Sequence, residues 1–376
     1  MTDARSDVID ARRSIGRRLL LAGAATAGAG LMASDLAKPA IAGVSPHIKM
    51  TLPWLPQGSQ FFAFVARNRG YWKSRGLDVE IVRGFGSTAA IQTIVQGQCQ
   101  AGIIAAPTVI LSAAQGLQTR VFGIAGYDST MGVLTNSNSA VKTLKDLEGR
   151  RLGSTLTSAE VPFLEPFLQK SGVDTKKITR VSLQANVLDS ALANGQVDAI
   201  SAFATTDMPS LLVQKLKPRF FPYSGVGIKI YSNALTTTPE FAKANRSMIA
   251  DWVDGMNDAL KFCMLNFDEA VDIFVREVPE VRMSDNGRLY TRFGAGLFME
   301  TMLRSELKEH GIGWSDPDSI SNQIDLVMKY ATSADARRPD GPALFTNELA
   351  GKIKLSNAEW TTASKTVAEF SIYMNA

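Results

Sequence analysis

Residues 84–102 read GFGSTAAIQTIVQGQCQAG, and this stretch decides the fold. It begins with a turn of small residues, continues as a helix and ends at a glycine that leads into a β-rich run. Residues 186–199, NVLDSALANGQVDA, repeat the order of helix, glycine and strand. Short β-rich runs alternating with helical stretches are typical of parallel sheets flanked by helices. The sequence therefore predicts an α/β protein with two similar lobes.

We expect one set of strands before the polar residues 136–139 and a second set after them. The first set covers residues 48–53, 77–82, 101–104, 119–125 and 132–136; the second covers 151–154, 179–183, 199–202 and 220–221, with a further strand at 229–236. From Pro239 onwards the chain reads as mostly helical. A length of 376 residues also favours two domains.

Composition excludes several classes of function. The chain has 40 Lys and Arg against 36 Asp and Glu, a formal charge of +4. That excess is too small for a protein that binds nucleic acid through its phosphates. With only two His and two Cys, a His-rich or Cys-His metal site cannot be assembled, so we expect no metal and no cofactor.

The N-terminal residues have the order of an export signal. Arg17 and Arg18 precede an apolar run at 19–31, and Ala40-Ile41-Ala42 follows as a cleavage site. The arginine pair resembles the twin-arginine motif. We expect residues 1–42 to be a twin-arginine signal peptide, cleaved near Ala42, and the mature protein to be periplasmic. A membrane anchor is the weaker alternative, because a spanning helix needs about 20 apolar residues.

An exported protein with two cysteines has one possible disulfide. Cys263 lies on the apolar face of an expected helix, and Cys99 lies in a turn between a helix and a strand. Separate buried thiols are the favoured interpretation, since cysteine behaves as a small hydrophobic residue. A Cys99–Cys263 bridge is the alternative.

In open α/β sheets, ligands lie beyond the carboxyl ends of the strands. The turns at these positions supply the candidate ligand-binding residues. In the first lobe they are Trp54, Gln57, Ser59, Gln60, Phe61, Gly86, Ser87, Thr88, Pro107 and Thr108; in the second they are Thr155, Thr157, Ser158, Phe203, Thr205 and Asp207.

The residue types in these turns suit a small ligand. Trp54 offers a stacking surface beside polar groups. The hydroxyl-rich turns precede helices, whose first N–H groups favour a ligand oxygen. The same residues also fit ordinary roles: Ser87 and Thr88 as helix caps, Asp207 as a cap and Phe61 as core. Strand alternation predicts that Arg83 points away from the turns.

Four motifs carry a resemblance to a known family. They are FGST at 85–88, ANGQVDA at 193–199, RGYWKSRGLDV at 69–79 and LKDLEGRRLG at 144–153. Together, in their order along the chain, they resemble the substrate-binding proteins of ABC importers, and within them the group that binds sulfonates, taurine, nitrate or the thiamine pyrimidine. The resemblance covers roughly residues 48–267.

The resemblance implies a type II periplasmic binding protein fold. Two lobes would be joined by two crossing strands, with the ligand in the cleft between them. Residues 43–136 and 235–376 would form lobe I, and residues 137–234 lobe II. A monomer would capture one small molecule by hinge closure and deliver it to the permease subunits of an importer.

The ligand and the downstream partner stay open at this point. Asp207, Trp54 and Phe203 favour a nitrogen-containing aromatic or heterocyclic compound, similar to a pyrimidine, over a sulfonate, taurine or nitrate oxyanion. A sensor that presents its ligand to a receptor is a further alternative. Related enzymes of thiamine-pyrimidine synthesis use a cysteine-rich motif, which two cysteines cannot form, so we expect no enzyme.

Overall fold

The computed structural model describes residues 46–374. The export signal expected at residues 1–42 lies outside them. The ten strands of the described residues are β1 (His47–Thr51), β2 (Asp78–Val82), β3 (Ala101–Ala105), β4 (Arg120–Ala125), β5 (Met131–Asn136), β6 (Arg151–Ser154), β7 (Thr179–Ser182), β8 (Ala199–Phe203), β9 (Pro218–Pro222) and β10 (Asn233–Thr237).

Helices surround the strands and make up most of the C-terminal part. Within the described residues they are α1 (Phe61–Asn68), α2 (Ser87–Val95), α3 (Ala106–Ala114), α4 (Val161–Lys170), α5 (Leu188–Ala193), α6 (Asp207–Val213), α7 (Pro239–Ala244), α8 (Arg246–Leu265), α9 (Phe267–Glu277), α10 (Pro279–Arg282), α11 (Gly287–Met302), α12 (Ser305–His310), α13 (Pro317–Tyr330), α14 (Gly341–Leu344) and α15 (Asn357–Met374). None of these helices is both long and apolar enough to cross a membrane.

The strands form two five-stranded sheets. The first sheet has the order β2-β1-β3-β10-β4, and the second has the order β7-β6-β8-β5-β9. In each sheet three neighbouring strands are parallel and an inserted strand is antiparallel to both of its neighbours. The α/β prediction with two similar lobes is confirmed.

One lobe boundary differs from the prediction. Strand β5 was assigned to lobe I, yet it pairs with β8 and β9 in the second sheet. The chain therefore changes sheet at residues 126–130, before β5, and not after Asn136. It returns after β9, so that β10 lies between β3 and β4 of the first sheet.

The strand registers place the carboxyl edges of the two sheets next to each other. Ala125, at the end of β4, is paired with Asn233, the first residue of β10. Met131, the first residue of β5, is paired with Phe203, at the end of β8. Both connections between the sheets, residues 126–130 and 223–232, thus join one carboxyl edge to the other. The turns that follow the parallel strands therefore lie at the joined edges of the two sheets, where α/β folds of this kind bind ligands.

Backbone hydrogen bonds hold the two connections together. The Ser232 N–H donates to the Gly126 carbonyl at 2.9 Å, and the Ala106 N–H donates to the Ser232 carbonyl at 2.8 Å. Gly126 has a φ of 108°, a conformation that other residues rarely adopt. A Cβ atom at Gly126 would also lie 2.7 Å from the Cβ of Ser232. Glycine is therefore required where the two connections touch.

Candidate ligand-binding site

The turns after β1, β2 and β3 meet at the carboxyl edge of the first sheet. The Gly84 N–H donates to the Trp54 carbonyl at 3.0 Å. The Ala105 N–H donates to Oγ of Ser87 at 3.1 Å. Trp54 is half-buried at this edge. Three turns that are distant in sequence are thereby fixed side by side, as the sequence predicted.

Residues 57–60, which follow the exposed Leu55, are covered by α11. Gln57, Ser59 and Gln60 are buried polar residues, and the short 3₁₀ helix Gly58–Gln60 packs against α11. Nε2 of Gln60 donates to Oγ of Ser59 at 2.6 Å, while Oε1 of Gln60 is buried without a partner. This turn, expected to face the cleft, lies under a helix.

Phe61 belongs to the core. Its side chain is fully buried, and its ring packs edge-on against Phe267 with the centroids 6.2 Å apart. Pro107 and Thr108 are also buried, in the first turn of α3. Of the alternatives open for Phe61, the structure favours the core residue.

The start of α2 remains accessible. Gly86 is its N-cap and Ser87 its first residue. Thr88 is exposed. The hydroxyl of Ser87 accepts from Ala105 and does not cap α2. The first N–H groups of a helix have no partner within it, so this turn keeps donors for a ligand.

Arg83 lies at the same edge. Its guanidinium carbon is 4.5 Å from the centroid of the Phe85 ring, a cation–π contact. Arg83 follows Val82, the last residue of β2, so strand alternation does not set the direction of its side chain, and its pointing away from a ligand stays a prediction.

In the second sheet, the turn after β6 contains hydroxyls and one buried carboxyl. Thr157 is exposed, whereas Oγ1 of Thr155 is buried without a partner. The Ser158 hydroxyl donates to Glu160. The Ser201 hydroxyl donates to the other oxygen of Glu160 at 3.2 Å. Burial raises the pKa of Glu160 above its ordinary range, and the two hydroxyl donors connect Glu160 to the turn after β6 and to β8.

The turn after β8 contains a second buried carboxyl. Oδ2 of Asp207 accepts from the Phe203 N–H at 2.7 Å. The carboxyl of Asp207 is enclosed and contacts that of Asp189. Burial, together with the neighbouring Asp189, raises the pKa of Asp207 well above its usual range. Asp207 and Phe203 are both half-buried, and the carboxyl of Asp207 is held by the Phe203 N–H and by Asp189.

Asp189 was not singled out in the sequence. Burial raises its pKa to about 6. Its Oδ1 is buried without a hydrogen-bond partner, and its carboxyl contacts the side chains of Ser210 and Asp207. Asp189 is the second residue of α5, as Asp207 is the first of α6. The sequence does contain a signal for this pair, because each of the two acidic residues stands at the start of a helix that follows a strand-end turn.

A packing contact links the covered turn of the first sheet to the turn after β8. A Cβ atom at Gly294 of α11 would lie 2.8 Å from the Thr205 carbonyl oxygen and 3.6 Å from Cα of Gly58. The Tyr290 hydroxyl donates to the Thr206 carbonyl at 3.3 Å. Helix α11 thus contacts the cleft-edge turns of both sheets.

The remaining cysteines and histidines lie outside this arrangement. Cys99 and Cys263 are buried and unpaired, so the disulfide alternative was wrong. His47 begins β1, at the edge opposite the cleft, and its Nδ1 lies 2.7 Å from Asp78. His310 is stacked on Trp314 at the end of α12. Within residues 46–374, no cluster of three or more His, Cys, Asp or Glu could hold a metal ion.

Comparison with solved structures identifies the fold. The periplasmic aliphatic sulphonate-binding protein SsuA from Escherichia coli matches with a TM-score of 0.61 at 13% identity, covering 80% of this chain and 98% of SsuA. The chain therefore has the fold of periplasmic binding proteins, as the resemblance implied.

Comparison with known sequences gives relatives of two kinds. The formylaminopyrimidine-binding protein of Halalkalibacterium halodurans is 22% identical over 63% of this chain and 76% of its own length. The 4-amino-5-hydroxymethyl-2-methylpyrimidine phosphate synthase THI12 of Saccharomyces cerevisiae is 20% identical over 78% of this chain and 91% of its own. The family model described as "NMT1/THI5 like" matches residues 59–270, more than half of the chain. This protein therefore belongs to the NMT1/THI5-like family.

Proposed function

We propose that this protein is the periplasmic solute-binding component of an ABC importer, and that it captures a small nitrogen-containing heterocycle similar to a pyrimidine. The observation that supports this proposal most is the strand pairing that joins the carboxyl edges of the two sheets through two short connections. Contacts from both lobes favour the closed form, so that ligand binding shifts the equilibrium towards closure. The closed monomer would then deliver the ligand to the permease subunits.

The choice of a pyrimidine-like ligand rests on two aromatic side chains and on a relative. Trp54 and Phe203 are half-buried at facing edges of the cleft, where a flat ring can stack. The relative from Halalkalibacterium halodurans is named for binding a formylaminopyrimidine. Asp207, which the sequence offered as the partner of a ligand amine, does not contribute to this argument because its carboxyl is enclosed.

An oxyanion such as a sulfonate, taurine or nitrate is the second candidate. The free N–H groups at the start of α2 suit an anion, and the Arg83 guanidinium lies beside that turn. A solved structure with the same fold is named for binding aliphatic sulphonates.

Calorimetry with the purified mature protein distinguishes the two ligand classes. We expect binding of 4-amino-5-hydroxymethyl-2-methylpyrimidine or formylaminopyrimidine, and much weaker binding of taurine, an alkanesulfonate or nitrate. Mass spectrometry after incubation should recover the ligand unchanged; conversion would make the protein an enzyme, as some of its relatives are. Tight binding of an oxyanion alone would refute the pyrimidine proposal.

Trp54→Ala tests the stacking wall. If Trp54 is a buried aromatic anchor for the ligand, its loss should weaken binding about 30-fold, which corresponds to about 2 kcal/mol. Trp360→Ala is the matched control, because Trp360 is a half-buried tryptophan on α15. Equal affinity of both variants for the pyrimidine would remove Trp54 from the site.

Export is tested separately from binding. Replacing Arg17 and Arg18 by lysine should leave the folded protein inside the cell, because the twin-arginine pathway reads the arginine pair. The fraction in the periplasm is measured by immunoblotting of cell fractions. Normal export of the double-lysine variant would refute the twin-arginine assignment.

A further inference from the structure

Four large apolar side chains are exposed at the cleft edges of the two sheets. Leu55 is 36% exposed and Phe85 is 69% exposed, in the turns after β1 and β2. Leu156 is 68% exposed and Val187 is 40% exposed, in the turns after β6 and β7. Exposed apolar groups that gather in one place usually mark a surface that binds something.

These side chains lie at the mouth of the cleft. Strands β2 and β1 form the outer side of the first sheet, and β7 and β6 form the outer side of the second. The connections between the sheets involve β4 and β10 on one side and β5 and β9 on the other. The four apolar residues are therefore on the half of each edge that is farthest from the connections. We call Leu55 and Phe85 the first lip, and Leu156 and Val187 the second lip.

We propose that the first lip and the second lip are a matched pair of closing surfaces, which pack on each other when the two lobes approach. Each lip is the natural partner of the other, because both are apolar and both follow the parallel strands whose carboxyl edges face each other. This packing removes apolar surface from water and favours closure before any ligand contact is made. The inference rests on the fold and does not depend on the identity of the ligand.

The neighbouring residues fit such a contact. The turns of the second lip read STLTS at 154–158 and LQANV at 183–187, without a charged residue. In the first lip, the Arg83 guanidinium stacks over the Phe85 ring, which restricts the ring while the charge stays at the surface. Packing of the first lip on the second lip therefore buries no charged residue of the second lip.

Disulfide trapping tests the proposal directly in the ligand-free protein. A Phe85→Cys, Leu156→Cys variant can form a bridge only if the Cα atoms come within about 7 Å. The native Cys99 and Cys263 are buried and do not compete. The control is Phe85→Cys, Met283→Cys, because Met283 is 77% exposed at the end of α10.

After mild oxidation, we expect an intramolecular bridge in the lip variant at a yield roughly tenfold higher than in the control. Equal yields would overturn the proposal. A bridge between two molecules at high yield would also overturn it, since the lips would then be a surface for a second copy.

Small-angle scattering of Phe85→Asp, Leu156→Asp supplies a second measurement that needs no bridge. Charges on both lips should disfavour their packing, so the radius of gyration of the ligand-free variant should shift to a larger value than that of the parent. Circular dichroism and a cooperative melt confirm that the variant is folded. An unchanged radius would count against the lips, whereas failure of every candidate ligand to bind would count only against the proposed function.

Discussion

At the cleft edge of the first sheet the buried polar groups are neutral, whereas those at the edge of the second sheet include a carboxyl beside buried hydroxyls. Gln57, Ser59 and Gln60 are buried under α11 in the first case. In the second case Glu160 is buried, and Asp189 and Asp207 are half-buried with their carboxyls in contact. The two lobes share the same order of strands and helices. We expect the stability of the second lobe, but not of the first, to depend on the protonation of its carboxyls. A neutral amide needs only a hydrogen bond, but a buried carboxyl has to be neutralised or paired.

The largest expected effect is a fall in stability with rising pH that originates in the second lobe. Burial raises the pKa of Asp189 from an ordinary value near 4 to about 6. Between those values the folded protein binds more protons than the unfolded chain, so the free energy of unfolding falls as pH rises from about 4 through 6. A shift of about two pKa units corresponds to about 3 kcal/mol. The raised pKa values of Asp207 and Glu160 act in the same direction.

Asp189→Asn tests the origin of this fall. Urea unfolding of the parent protein at pH 4, 5, 6 and 7 should show the fall, and the variant should lose the part due to Asp189. The control is Asp285→Asn, since Asp285 is exposed between α10 and α11. If Asp189→Asn and the parent have the same slope with pH, the two lobes do not differ in the way described.

The next effect concerns the covered turn of the first sheet. A Cβ atom at Gly58 would lie 2.4 Å from the Ala295 nitrogen and 2.7 Å from the Thr291 carbonyl oxygen. Both are backbone atoms of α11 and cannot rotate away, so Gly58→Ala should cost about 2 kcal/mol of stability. The measurement is chemical unfolding at a fixed pH of 6.

The control for Gly58 is Gly225→Ala. A Cβ atom at Gly225 would have Pro222 Cγ, at 4.0 Å, as its nearest neighbour. A change of less than about 0.5 kcal/mol is expected there. Equal stability of the two variants would show that α11 does not pack tightly on the first-sheet turn. The residues of that turn could then be exposed to a ligand.

The sequence predicted the elements well and their partners less well. Strands and the turns after them follow from local patterns of β-branched, small and polar residues. The partners of β5 are β8 and β9, which follow much later in the chain, so nothing within Met131–Asn136 identifies its lobe. In the same way, Gln57 and Gln60 are covered by α11, whose sequence gives no sign that it lies over this turn.

The exposure of candidate site residues was predictable where the turn alone decides it. Thr88 and Thr157 are exposed as expected of hydroxyls in turns. Asp207 was not predictable, because its environment depends on Asp189 in another helix. The apolar lips were also missed, since a single Phe or Leu in a turn carries no signal until the two edges are seen to face each other.

The smallest expected effect separates a structural hydroxyl from a free one at the start of α2. Oγ of Ser87 accepts from the Ala105 N–H at 3.1 Å, which ties α2 to the end of β3. Ser87→Ala removes that acceptor and should lower the free energy of unfolding by about 1 kcal/mol. Thr88, the next residue, is exposed, so Thr88→Ala should change stability by less than about 0.5 kcal/mol. Affinity for the pyrimidine, measured on the same two proteins, gives the second comparison. If Thr88 contacts the ligand, Thr88→Ala should bind the pyrimidine more weakly and keep its stability. If Thr88→Ala loses as much stability as Ser87→Ala, both hydroxyls stabilise the fold.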